Sequence, residues 1–242
     1  MAVRPRHRAK AAVIAQAMLP RQPRHWLAAL SATVLLSACA GGPAPPDWQL
    51  QAHSALDRSV TAYLGGDSRV AAQAFDLARA QVERTGRIDL LARTELLRCA
   101  AQVASLVFDA CDGFEALRVD AAAPERAYAD FLAGTLQPQD IVQLAPSQRA
   151  VASKDPAQNA APALRDLSDP LSRLVAAGVL MRGGRASPEV ISLAVDTASS
   201  QGWRRPLLSW LNLQALRADQ AGATADAERL RRRIKLVLTP SP

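Results

Sequence analysis

The sequence predicts an all-α fold of antiparallel helical hairpins, and three observations predict it. Aromatic residues make up only 4% of the 242, while Ala, Leu, Arg and Gln dominate, a vocabulary of helix formers rather than strand formers. Apolar side chains recur at helical spacing, and the sequence has no alternating period-two runs of the kind that make a sheet. Glycine and proline fall mostly at the ends of the periodic stretches, where helices stop and start.

Taken in order, residues 39–47 read as a linker, with Gly41-Gly42-Pro43-Ala44-Pro45-Pro46 as its flexible part and Asp47 as an N-cap. A first helix follows from Trp48 to Leu64 with Leu56, Val60, Tyr63 and Leu64 on one face, closed by Gly65-Gly66. Asp67 or Ser68 caps a second, carrying Val70, Ala71, Ala74, Phe75, Ala78 and Val82, with Gly86 at its end. Further helices are expected over Ile88 to Val107, Pro124 to Leu136, Pro170 to Met181, Pro188 to Ser200, Pro206 to Gln220 and Thr224 to Leu238. Between Gln137 and Asp169 the prolines at 138, 146, 156 and 162, with Pro170 just beyond, force short helices and an irregular path. Two helical-repeat regions, 48–136 and 170–238, are therefore expected on either side of a connection at 137–169. Gly183-Gly184 followed by Ser187-Pro188 superficially suggests an anion loop, but reads more plainly as a helix end, an N-cap and a proline at the first helical position.

The second half of the first hairpin resembles a tetratricopeptide repeat. Gly66, Ala71, Phe75 and Ala78 occupy that family's turn glycine, small, aromatic and small positions, although Ala55 stands where a large aromatic belongs. Gly222 and Ala227, with Trp210 upstream, partly echo the pattern, and Arg231 departs from it. The resemblance implies a short α-solenoid, a shape that forms concave surfaces for holding peptides or other proteins.

The amino terminus reads as an address. Trp26 to Ala38 is an uncharged, mostly apolar run preceded by Arg21, Arg24 and His25, the layout of a secretory signal and too short to span a bilayer comfortably. From Met18 the signal has ordinary length, so Met18 is the preferred start over Met1. Leu36-Ser37-Ala38-Cys39 resembles the lipobox of bacterial lipoproteins. That resemblance implies cleavage of residues 1–38, lipidation of Cys39 with palmitate-type chains, and, from Ala40, sorting to the outer membrane facing the periplasm. Several buried chains make such an anchor effectively permanent.

Removing the signal also removes the basic character. The formal charge of +7 suggests nucleic acid, but residues 1–38 hold six basic side chains and no acidic one, leaving 23 basic against 22 acidic. A nucleic-acid partner is therefore not expected. With Cys39 lipidated, Cys99 and Cys111 remain as a pair, and an oxidising compartment makes a disulfide the natural proposal. On one continuous helix twelve residues would separate their Cα atoms by about 18 Å, whereas a bridge needs less than about 7 Å. The helix holding Cys99 must then end before Cys111; the alternative is two buried free thiols.

Chemistry is sparse. After cleavage His53 is the only histidine, and no nucleophile-elbow, zinc or phosphate-loop signature occurs, so neither metal nor cofactor is expected and no catalytic residue is nominated. Of the six glutamates, Glu83 and Glu228 lie in arginine-rich helices and Glu125 and Glu189 follow a helix-starting proline, leaving Glu95 and Glu115 without a structural role. Candidate partner contacts are Trp203, Arg204 and Arg205, near Trp210, and the basic run Arg229, Arg231, Arg232, Arg233 and Lys235. In that run's helix Leu230, Ile234, Val237 and Leu238 are expected to face the core. The reading is a non-catalytic binding or scaffold lipoprotein whose partners are the membrane and other envelope proteins, resembling in architecture the helical-repeat lipoproteins of outer-membrane assembly. The alternative is a helical enzyme acting on peptidoglycan through one acidic residue.

The lipobox makes a direct prediction. Cys39→Ala is expected to leave an unlipidated precursor that no longer fractionates with the outer membrane, and labelled palmitate incorporated into that variant would overturn the assignment.

Overall fold

A computed structural model describes residues 44–153 and 160–239. The chain divides into two units, Met1–Ala44 and Pro45–Pro242, and every described helix belongs to the second. The signal, Cys39 and most of the linker lie outside the described residues.

No strand occurs among the described residues, and the fold is all-α. Helix α1 spans Asp47–Gly65 and α2 Ser68–Glu83. Pro46 takes the N-cap position, so Asp47 enters the first turn, where a carboxylate meets the positive end of the helix dipole. Gly66 turns the chain at φ 100°, a left-handed conformation that glycine adopts without steric cost. Asp67 then caps α2 by accepting a hydrogen bond from the Val70 amide at 3.0 Å. Small residues face each other across the hairpin, with Ala52, Ala55, Ala71, Ala74 and Ala78 all buried. This close approach lets the Ser59 hydroxyl reach across to donate to the Ala71 carbonyl at 2.8 Å.

Helix α3, Ile88–Ala104, is the central rod, touching α1, α2 and α5 as well as α8. Burial of Ala92, Glu95, Leu96, Cys99, Ala100, Ala101, Val103 and Ala104 leaves it almost no solvent stripe, as its weak amphipathic pattern requires. It ends at Ala104, three residues short of the expected Val107, and Leu106 takes a positive φ of 59° to turn the chain. The turn leads to α4, Asp112–Glu115, and Cys99 and Cys111 are bridged there with their Cα atoms 5.9 Å apart. Closing a loop of this size contributes about 3 kcal/mol by the chain-entropy estimate.

Helix α5 covers Ala123–Ala133 and stops at Gly134, before the expected Leu136, because Gly134 adopts φ 74°. A 3-10 turn at Pro138–Gln143, α6 at Pro146–Ala152 and α7 at Ala161–Arg165 make up the proline-rich connection. Its buried residues Leu144, Val151, Leu164 and Leu167 join the same core as α3, so the connection is part of one hydrophobic interior running from Ala92 to Leu211.

The last four helices are α8 Pro170–Arg182, α9 Pro188–Ser200, α10 Arg204–Gln220 and α11 Thr224–Leu238. Asp169 and Ser187 cap α8 and α9 through the Ser172 and Val190 amides, at 2.7 and 3.3 Å. Helix α10 begins two residues before Pro206, which is tolerated because amides in the first turn have no intrahelical acceptor. Three of the four apolar positions expected to face the core on α11 do so: Leu230, Ile234 and Val237 are partly buried, whereas Leu238, the last residue of the helix, is 52% exposed.

The stack of hairpins is tied across its length as well as between neighbours. Helix α8 crosses α3 so closely that a Cβ at Gly178 would overlap the Val103 carbonyl and sit 2.9 Å from its Cγ1. Trp210 of α10, fully buried, donates its indole N–H to the Ala104 carbonyl at 3.0 Å and so satisfies the open end of α3. Gly178→Ala is expected to destabilise the domain by about 2–3 kcal/mol, since overpacked backbone has nowhere to move. Urea unfolding checks this, and an unchanged midpoint would contradict so close a crossing.

Candidate binding surfaces

The C-terminal helices enclose a groove of about 480 Å³. Its floor is apolar, made by Ile191 of α9, Ala218 of α10 and Leu230 of α11, and its rim carries Arg217, Arg229 and Arg233. Arg217 is anchored, donating to the Ala186 carbonyl at 2.8 Å. Arg229 pairs with Asp226 one turn away, while Arg233 has no carboxylate partner among the described residues. The basic run thus splits by helix face. Arg231 and Arg232 pair with Asp219 and Glu228 away from the groove, at 2.6 and 4.0 Å.

The other predicted contact cluster is engaged within the fold. Arg205 donates to the Tyr63 carbonyl and to the Ser68 hydroxyl, both at 2.6 Å, and its guanidinium lies 4.3 Å from the centre of the Tyr63 ring. It thereby caps the carboxyl end of α1 from α10, where a cation suits the helix dipole. Arg204 donates to the Leu238 carbonyl at 3.1 Å, and Trp203 packs partly buried on the core.

A second surface has no local signature in the sequence. Two adjoining cavities, about 350 and 330 Å³, share Arg93 and Leu97. Trp48, His53, Leu56 and Leu90 line the first, and Glu125, Tyr128 and Leu144 the second. These residues come from separate helices, so only the tertiary fold brings them together. His53 stands exposed beside them with Nδ1 3.1 Å from Asp57. Burial pushes the Tyr128 hydroxyl up to about 12, against the opposing effect of a hydrogen bond with Gln148.

Each of the six glutamates has a basic partner. Glu83 pairs with Arg79, Glu115 with Arg118, Glu189 with Arg165 and Glu228 with Arg232. The hydrogen bond from Arg118 holds the Glu115 carboxyl below its ordinary range. Glu125, 6% exposed at its side chain, receives Arg93 Nε at 2.7 Å. Glu95 is the most deeply placed, at 2%, and meets Arg79 Nε at 2.9 Å and Arg98 Nη2 at 2.8 Å. Gly113 covers it so tightly that a Cβ there would collide with the carboxylate. Among the described residues no group of three His, Cys, Asp or Glu side chains could hold a metal ion, and no helix is long and apolar enough to cross a membrane.

Fold and surfaces together define a class: an all-α hairpin domain carrying open grooves with apolar floors, one of them rimmed by arginine. No family model matches the chain, and neither a curated protein nor a solved structure matches it significantly.

Glu95→Ala is expected to cost about 2 kcal/mol, because it opens a cavity beneath Gly113 and removes the tie between α2 and α3, while Arg79 and Arg98, both partly exposed, turn to water. Gly113→Ala should also destabilise, yet be nearly free in the Glu95→Ala background, where the methyl fills vacated space. A double-mutant cycle of unfolding free energies checks this coupling, and strict additivity would contradict it.

Proposed function

We propose that this chain is a lipid-anchored lipoprotein of the outer membrane, facing the periplasm, whose helical domain binds other envelope proteins without catalysing a reaction. The observation that carries the binding part is the α9–α10–α11 groove, where an apolar floor and an arginine rim offer the anchor-and-rim chemistry of protein recognition. The Cys99–Cys111 bridge suits an oxidising compartment. The lipobox reading of Cys39 supplies the anchor, and the tetratricopeptide-like hairpin supplies the analogy to repeat scaffolds.

One observation favours a second reading, an enzyme acting on peptidoglycan through a single acid. Glu125 is a buried carboxylate that lines a cavity beside Tyr128. Its bond to Arg93 gives it a structural occupation, and a general acid needs a proton to deliver at the substrate.

Replacing His53 and each of the six glutamates by Ala or Gln separates the two. The expected outcome is that no variant with an intact fold abolishes the envelope phenotype at matched protein level, because binding surfaces spread their energy over several contacts. Complete loss in Glu125→Gln with unchanged thermal unfolding would establish the enzyme reading instead.

A further inference from the structure

The groove between α9, α10 and α11 also says what kind of partner it fits. Charge is unevenly divided along the chain: residues 47–136 hold nine basic and thirteen acidic side chains, residues 170–238 eleven and five. The excess cations of the second region concentrate on α11, and the groove samples them selectively. Arg229 and Arg233 lie one helical turn apart on the same stripe, about 6 Å between their Cβ atoms, with Leu230 beside them on the groove floor. Asp226 is the one carboxylate lining the groove, and it is already paired with Arg229. Arg233 is left with no carboxylate of its own among the described residues. A cation at the edge of an apolar cleft attracts an anion more strongly than one on an open surface, because the low-dielectric walls focus its field.

We infer that this groove binds an acidic peptide segment, with an apolar side chain seated over Ile191 and Leu230 and flanking carboxylates on Arg229 and Arg233. The inference rests on the proposed binding function and gives that partner its chemistry. A volume of about 480 Å³ is within the range that holds a few side chains or a small ligand. Arg217 backs the site and is held in place by the Ala186 carbonyl, so it acts as a wall rather than a free contact.

The test uses the purified full chain and a short fluorescein-labelled peptide of glutamates around two central leucines, followed by fluorescence anisotropy. Binding is expected to weaken as salt rises, and Arg229→Glu with Arg233→Glu should weaken it at least tenfold. Replacing the peptide's glutamates by lysines should abolish binding to the natural chain and restore it to the doubly reversed variant. Both arginines are exposed, so thermal unfolding of that variant should match the natural chain, and the lysine peptide reports on the groove even if it does not. Absence of peptide binding, or binding indifferent to the reversal, overturns the inference. So does binding of these arginines to phosphatidylglycerol vesicles in place of the peptide. Neither result touches the outcome of the histidine and glutamate substitutions, which judge the binding reading itself.

Discussion

A carboxylate buried in an alanine-rich core is the constraint around which the amino-terminal half of the domain is arranged. Glu95 sits on the central helix, and an unpaired charge at that depth would cost several kcal/mol. Its oxygens are met by two guanidiniums, one from a neighbouring helix and one from its own. Arg79 brings α2 against α3, and Arg98 reaches back along α3 while its guanidinium lies 4.3 Å from the Phe75 ring centre. The remaining side has to be closed by backbone without a side chain, which is the role of Gly113. The disulfide from Cys99, one turn beyond Glu95, delivers that glycine to its place through Cys111. Such a pair contributes little over an apolar substitute, but it admits few other registers of the three helices.

The carboxyl-terminal half is hung on the other end of the same rod. Val103 and Ala104 form the last turn of α3; one receives the backbone of α8 at Gly178 and the other the indole of Trp210. Arg205 adds a third tie, from α10 to the end of α1. These links involve residues more than seventy positions apart, unlike a purely linear repeat in which each unit meets only its neighbours. They also fix α8 and α10 against the amino-terminal half. Helix α11, with Ala227 as its sole buried residue, depends on its hairpin with α10.

Legibility in the sequence followed the range of the interaction. Helices α8, α9 and α11 could be read nearly to the residue, because Asp169-Pro170, Ser187-Pro188 and Gly222 act on the backbone within one turn. The disulfide was legible from counting cysteines and from the length a helix would impose between them. Pro206 misled the start of α10 because a proline is acceptable anywhere in a first turn, and Leu238 misled the burial of α11 because amphipathic spacing does not say how far packing continues at a helix end. Glu95, the Trp48–Tyr128 surface and the tie made by Arg205 were invisible for one reason. Each depends on side chains brought together by packing between helices, and no local period encodes which helices meet.

The partners available to the guanidinium groups explain why the open groove lies where it does. In the amino-terminal half five of the nine arginines meet carboxylates, among them Arg79 and Arg98 on Glu95, Arg93 on Glu125, and Arg118 on Glu115 and Asp130. The carboxyl-terminal half has too few acids for that, so several of its arginines are spent on backbone carbonyls instead: Arg173 on Leu164 and Leu167, Arg204 on Leu238, Arg217 on Ala186. Carbonyl acceptors of this kind exist where a helix ends against another element. On α11 the end carbonyl of Leu238 is already taken by Arg204, and the carbonyls before the last turn are bonded within the helix. Cations placed there are matched by nearby acids, as Arg231 is by Asp219, or stand without a carboxylate. Arg233 has no carboxylate partner among the described residues, and the fold sets it at the rim of a cleft with an apolar floor.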